Sequence, residues 1–339
     1  MTNIEKTSTI VQQDTAALRS QSSAPILNDF LQGLVGNDAV SGSPAGDVVT
    51  GTDGNDKLFG HSGNDTILGG AGNDKLDGGS GSDSLDGQAG ADTLFGGSGT
   101  DTLSGGPNSE LHGGSGADSI FGAIGHDTLF GDGGNDTIAG GGGPLFGTPG
   151  PDVIHGGSGS DLLFASLGDD TLFGDGGNDT LVGGGGLLIG NSGAVVLHGG
   201  AGDDTFEIST LDFSRVDGGA GHDTIEVFTA GLDLDLTTLA SNRIQGIEEI
   251  DLTGSGPQTL TLNVQDVLDL SDTSNTLIVK GDAGQPQPDN AIIGPGWTAA
   301  SSGGTNHNGT STIDDHVFQI YTAGQATLLV DQNVHTTVT

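Results

Sequence analysis

From Gly42 to beyond Gly199, one large aliphatic residue returns every nine positions, and glycine and polar residues fill the intervals. Leu58, Ile67, Leu76, Leu85, Leu94 and Leu103 keep the beat unbroken. Ile120, Leu129, Ile138, Ile154, Leu163, Leu172 and Leu181 carry it past shorter interruptions. A fixed period this short predicts a solenoid, because one repeat cannot bury its own apolar residue and must stack on its neighbours. The copies read G-G-x-G-x-D-x-U-x, with U the aliphatic position; Gly69 to Asp77 and Gly78 to Asp86 are two in succession. Six residues turn the chain, and the last three form a short strand with U pointing inward.

Glycine suits turn positions that need positive φ or a close backbone approach. Asn or Asp before the key aspartate (Asn55, Asn64, Asn73, Asn135, Asn178, Asp169, Asp203) is expected there for the same left-handed tolerance. Two nonapeptides make one coil, so every second copy stacks directly, about 4.8 Å away. The aspartates at position six then form a ladder along each edge. At an effective dielectric of about 20, neighbouring carboxylates repel by roughly 3 kcal/mol. Calcium, which takes six to eight oxygens from carboxylates and carbonyls, answers that repulsion with the ligand type these turns supply. The thin core, one aliphatic residue contributing about 2 kcal/mol per nine residues, cannot offset backbone entropy of about 1 kcal/mol or more per residue. Metal is therefore expected to be part of the fold.

These repeats resemble the RTX nonapeptide family of bacterial secreted proteins. The resemblance implies a calcium-bound parallel β-roll, all-β, and an uncleaved C-terminal signal read by a type I secretion transporter. The end of the chain, Ala326 to Asp331 followed by a Thr-rich tail, is similar to such a signal.

Charge agrees with a metal-dependent fold. Asp and Glu number 45 against 7 Lys and Arg, a net charge of −38. Without metal the repeats should repel and stay largely unfolded. Nucleic acid and anionic membrane are poor partners for such a chain. There is no cysteine, hence no disulfide or thiolate site. No apolar run approaches a membrane span, and the first residues lack the plan of a cleaved signal peptide.

The repeats assign candidate calcium ligands. They are Asp47, Asp56, Asp65, Asp74, Asp83, Asp92, Asp101, Asp118, Asp127, Asp136, Asp152, Asp161, Asp170 and Asp179, then Asp204 in the last good copy and Asp223 in a detached one. The copy from Gly105 is one residue short and carries Glu110; those from Gly140 and Gly183 are trimmed to seven residues; the copy from Gly190 has Val195 at the ligand position. If every copy still makes half a coil, Asp47, Asp65, Asp83, Asp101, Asp118, Asp136, Asp152 and Asp170 form one continuous row. Asp56, Asp74, Asp92, Asp127, Asp161 and Asp179 then form a broken one.

Three regions follow. Residues 1–41 are a polar lead, with Ile26, Leu27, Phe30, Leu31, Leu34 and Val35 at helical spacing; a helix capping the first coil is expected. Residues 42–207 are the roll. Residues 208–339 hold a last repeat and a C-terminal β-domain, with strands expected at 232–236, 247–252, 259–262, 276–279 and 326–330, a short helix at 264–270, and a loop from Gln285 to Asn308. Phe59, Phe95, Phe121, Phe130, Phe164 and Phe173 fall at the outward ninth position, either stacking between coils, lying under the N-terminal helix, or forming an apolar stripe for binding.

No H-E-x-x-H or G-x-S-x-G motif is present, and the nine histidines are scattered without ligand spacing. The expected function is a secreted, non-enzymatic calcium-binding protein that folds outside the cell, a surface or matrix component that adheres to cells, host or polysaccharide. The competing reading is an extracellular enzyme with an unrecognised polysaccharide-acting site in the C-terminal region.

Overall fold

The computed structural model describes residues 30–32, 36–141, 150–183, 194–227, 229, 231–254, 256–271, 274–282, 288–300, 310–313 and 316–339. Successive short strands alternate between two parallel sheets. One begins Phe30–Gln32, Val48–Thr50, Thr66–Ala71, Ser84–Ala89; the other begins Ala39–Ser41, Lys57–Ser62, Lys75–Ser80, Thr93–Ser98. Leu58 pairs with Leu76 and Ile67 with Leu85, so one coil is two nonapeptides. The aliphatic position points inward throughout: Leu58, Ile67, Leu76, Leu94, Leu103, Ile120, Leu129, Ile138, Ile154, Leu163, Leu172 and Leu181 have no exposed surface.

The irregular copies behave in two ways. The eight-residue copy still makes half a coil, with Leu94 opposite Leu111 and Leu103 opposite Ile120. The seven-residue copies do not. Leu129 pairs with Ile154, Ile138 with Leu163, Leu172 with Leu197 and Leu181 with Phe206, each step an ordinary coil lengthened by seven residues. Both lengthened coils contain a trimmed copy, which keeps the glycine run but lacks the x-D-x-U strand signal.

Parallel stacking continues past residue 207 without interruption. Phe206 pairs with Ile225, Ile225 with Ile250, Ile250 with Val279, and Val279 with Val330. The second sheet ends at Ile244–Gln245. A third parallel sheet, Asp233–Asp235, Thr259–Leu262, Asn290–Ile293 and His335–Val338, completes the later coils. The helix Val264–Leu270 forms as expected. Asn263 caps it in a reciprocal box with Asp266, which satisfies N-terminal amides that have no partner inside the helix. Ala326–Asp331 is the last parallel strand of the first sheet, and His316–Ala323 pairs antiparallel with it and with Thr310–Ile313.

Two expectations are corrected. The helix over 26–35 lies mostly outside the described residues, and its described part, Phe30–Gln32, is a strand on Val48–Thr50. Gly36-Asn37-Asp38-Ala39-Val40 is itself a worn turn and strand, so the roll starts before residue 42, and Phe30–Gln32 pairs a sheet edge otherwise left open. The loop expected from Gln285 to Asn308 contains the strands Asn290–Ile293 and Thr298–Ala299. There the alternation of fully buried Ala291 and Ile293 outweighs a loop-like composition.

The ninth-position rings stack along the second sheet. Phe95, His112, Phe130, His155, Phe173 and His198 form one column with centroids 4.5–5.3 Å apart and rings nearly parallel. Three of the scattered histidines thus replace phenylalanine in an inter-coil stack. Phe121, on the other sheet, is 46% exposed.

Candidate metal centre

Each nonapeptide brings its aspartate to the end of the turn, immediately before the strand, where the pleat directs it into the roll. Asp65, Asp83, Asp101 and Asp118 are no more than 3% exposed, a burial that an isolated carboxylate does not tolerate. One oxygen of each is accounted for. Oδ1 of Asp65, Asp83, Asp101, Asp118 and Asp136 accepts the backbone N–H of the aspartate one coil earlier, at 2.7–2.8 Å. Oδ2 of these same aspartates is buried and has no hydrogen-bond partner.

The orphaned oxygens share a setting. A Cβ placed on Gly78 would lie 2.5 Å from Asp83 Oδ2 and 2.7 Å from the Gly96 carbonyl; at Gly113 the neighbours are Asp118 Oδ2 at 2.5 Å and the Gly131 carbonyl at 3.0 Å. Glycine therefore leaves a small cradle facing one carboxylate oxygen and a carbonyl from the next coil. Among the described residues no three His, Asp or Glu side chains converge as a metal cluster, so any cation here takes carboxylate and carbonyl oxygen together. That donor set is hard and all-oxygen, which suits calcium.

The bonds also give the true rows. The first runs Asp47, Asp65, Asp83, Asp101, Asp118, Asp136, Asp161, Asp179, Asp204 and Asp223. The second runs Asp38, Asp56, Asp74, Asp92, Ser109, Asp127, Asp152 and Asp170. Asp152 and Asp170 thus exchange rows with Asp161 and Asp179, because the trimmed copy at Gly140 makes no half coil. In the eight-residue copy Ser109, and not Glu110, holds the ligand position: its Oγ receives the Asp92 N–H at 3.0 Å. Glu110 begins the following strand. Beyond Asp170 the second row meets Val195, which is buried with the core. Asp38 escaped the repeat count, although Gly36-Asn37-Asp38 carried its signal.

The residue before each aspartate builds a second ladder. Oδ1 of Asn37 accepts the Asn55 N–H and Oδ1 of Asn55 the Asn73 N–H, both at 2.9 Å; Asn64, Asn135 and Asn178 accept likewise from the next coil. None of Asn55, Asn64, Asn73, Asn135, Asn178, Asp169 and Asp203 has positive φ. A short oxygen-bearing side chain reaching the next coil, and not left-handed backbone, explains their presence.

Burial pushes the aspartate pKa values up: to about 6 for Asp92, Asp101, Asp127 and Asp204, to about 7 for Asp136, Asp170, Asp179 and Asp223, and to about 8 for Asp152. Desolvation is the largest cause, the backbone N–H from the neighbouring rung opposes it, and like charge adds for most of them, as with Asp118 and Asp83 beside Asp101. A dication in the cradles would favour the charged carboxylates and so oppose that rise.

The sequence model of the RTX calcium-binding nonapeptide repeat matches residues 28–49, 41–76, 77–108, 112–144, 145–172, 155–187 and 182–207. The chain belongs to this family. The repeats of RTX proteins bind several calcium ions, and the parallel roll described above is the fold such repeats form. No curated protein matches the chain. RTX repeat proteins are generally secreted. Among the described residues no helix is long and apolar enough to cross a membrane.

Proposed function

We propose that the two aspartate rows hold calcium, with Oδ2 of each aspartate and glycine carbonyls of adjoining coils as ligands, and that this binding is the folding switch of a secreted, non-enzymatic protein. The observation that carries the reading is the run of buried Oδ2 atoms without a partner. The rows are costly to close in the absence of a cation. When bound, calcium supplies two positive charges to oxygens that have lost water. The chain's own groups do the rest: the rung-to-rung N–H bonds aim each carboxylate, glycine opens the cradle, and the aliphatic column holds the coils in register.

Low calcium inside a cell then leaves the chain open for export, and millimolar calcium outside closes it, since extracellular modules of this kind bind at about 0.1–1 mM. Export would proceed by a type I transporter acting on the C-terminal segment. The folded roll would serve as a surface or matrix component in adhesion to cells, host or polysaccharide. Its support is a repetitive surface that carries an outward column of stacked rings. A calcium titration of metal-free protein followed by far-UV circular dichroism, with magnesium as control, tests the switch. A cooperative gain of β-structure with calcium alone is expected; full β-structure in chelator would end the proposal.

A further inference from the structure

The first row does not stop at its last nonapeptide. Asp223 is fully buried, and its Oδ2 has no partner. Its backbone N–H is taken, in the place where every earlier rung offers an aspartate, by Glu248 Oε2 at 3.1 Å. Glu248 lies outside any repeat, in the coil that leads into the strand Glu249–Asp251, and is only 8% exposed. The cradle persists as well. A Cβ on Gly218 would collide with the Gly246 carbonyl and would lie 2.6 Å from Asp223 Oδ2. Gly246, at φ +62, turns that carbonyl inward at a position no nonapeptide supplies.

The charge around this rung is unbalanced. Asp204, Glu248 and Asp203 all act on Asp223 as like charges. The adjacent Glu249 is matched by Lys280 Nζ at 2.7 Å, whereas among the described residues no basic side chain lies at ion-pair distance from Glu248. Among the described residues Glu248 Oε1 accepts a hydrogen bond from the buried Ser271 hydroxyl alone, at 3.3 Å, and a hydroxyl can rotate to leave that oxygen free. Two buried carboxylates and an inward carbonyl therefore converge where the roll passes into its C-terminal coils.

We propose that Asp223, the Gly246 carbonyl and Glu248 form a terminal calcium site that ties the repeat roll to the coils beyond residue 227. Glutamate takes the aspartate's place on this coil, 25 residues after Asp223, the same step that separates Asp136 from Asp161. This inference rests on the calcium reading of the rows, and its test separates the two. Bound ions are counted by native mass spectrometry of the full chain in calcium, for the wild type, Glu248→Gln and Asp118→Asn. Glu248→Gln keeps one oxygen for the Asp223 N–H but removes the charge and exchanges the other oxygen for an amide nitrogen, so a loss of one ion relative to wild type is expected. Ser271→Ala, which removes the hydroxyl on Glu248 Oε1 but neither carboxylate, should keep the full count and so assign any loss in Glu248→Gln to the carboxylate itself. If Asp118→Asn loses ions while Glu248→Gln retains all of them, the terminal site is wrong and the rows stand. If the wild type binds none, the calcium reading itself falls.

Discussion

Replacing one rung of the first row by its amide should have opposite effects with and without calcium. Asp118 stands between Asp101, whose N–H its Oδ1 accepts at 2.8 Å, and Asp136, whose Oδ1 receives its own N–H at 2.8 Å. Asparagine keeps that acceptor and puts an amide nitrogen where Oδ2 was, beside the Gly131 carbonyl. In the metal-free roll the change removes repulsion from two neighbours, at most roughly 3 kcal/mol each at the rung spacing and a dielectric of about 20. Partial protonation of the raised carboxyls makes the real gain smaller. In the calcium-loaded roll it withdraws a buried charged ligand, and removing one partner of a buried ion pair costs about 3–5 kcal/mol. At about 1.4 kcal/mol per decade, local calcium affinity should fall by about two to three and a half decades. Urea unfolding in saturating calcium reads the loss. Refolding on acidification in chelator reads the gain, as a midpoint shifted toward neutral pH. Asp118→Ala, which also abandons the Asp101 N–H, should lose stability in both conditions. Equal shifts in the same direction for Asp118→Asn in both assays would refute the reasoning.

Acidification should favour the metal-free roll and oppose the loaded one. The aspartate pKa values are raised in the fold, so in chelator their contribution is full below about pH 4 and is lost as pH rises through about 6 to 8. Circular dichroism in chelator should show β-structure growing from pH 8 to pH 4, while the calcium midpoint rises as protons compete. Gly134→Ala should prevent coil closure at any calcium level. Gly134 has φ +133, and its Cβ would overlap the Gly116 carbonyl. Gly133→Ala, whose Cβ would come no nearer than 3.2 Å to a flexible serine hydroxyl, should fold with a nearly unchanged calcium midpoint. Ser109→Asp should fill the gap between Asp92 and Asp127 in the second row and raise the ion count by native mass spectrometry; an unchanged count would show that the eight-residue copy leaves no cradle.

The fold class, the inward aliphatic column and the recurring aspartate of each turn could be read from the nonapeptide alone. Each depends only on a residue's place within its own copy: glycine where a carbonyl of the next coil approaches, aspartate where the turn meets the strand, leucine one step further on. The later strands expected at 259–262, 276–279 and 326–330, which form to within a residue, and the helix at 264–270 were legible from their own local patterns. What one copy does to the next was not local. Whether a shortened copy spends half a coil, as at Ser109, or none, as after Gly140, depends on which backbone groups find a neighbouring strand. Only the assembled stack shows that Asp161 and not Asp152 follows Asp136. The same holds for Glu248, which carries no repeat signal and reaches the end of the row because parallel pairing of Ile225 with Ile250 brings its backbone beside Asp223. Sequence determined the chemistry of each rung, and hydrogen bonding between distant coils decided which rungs are neighbours.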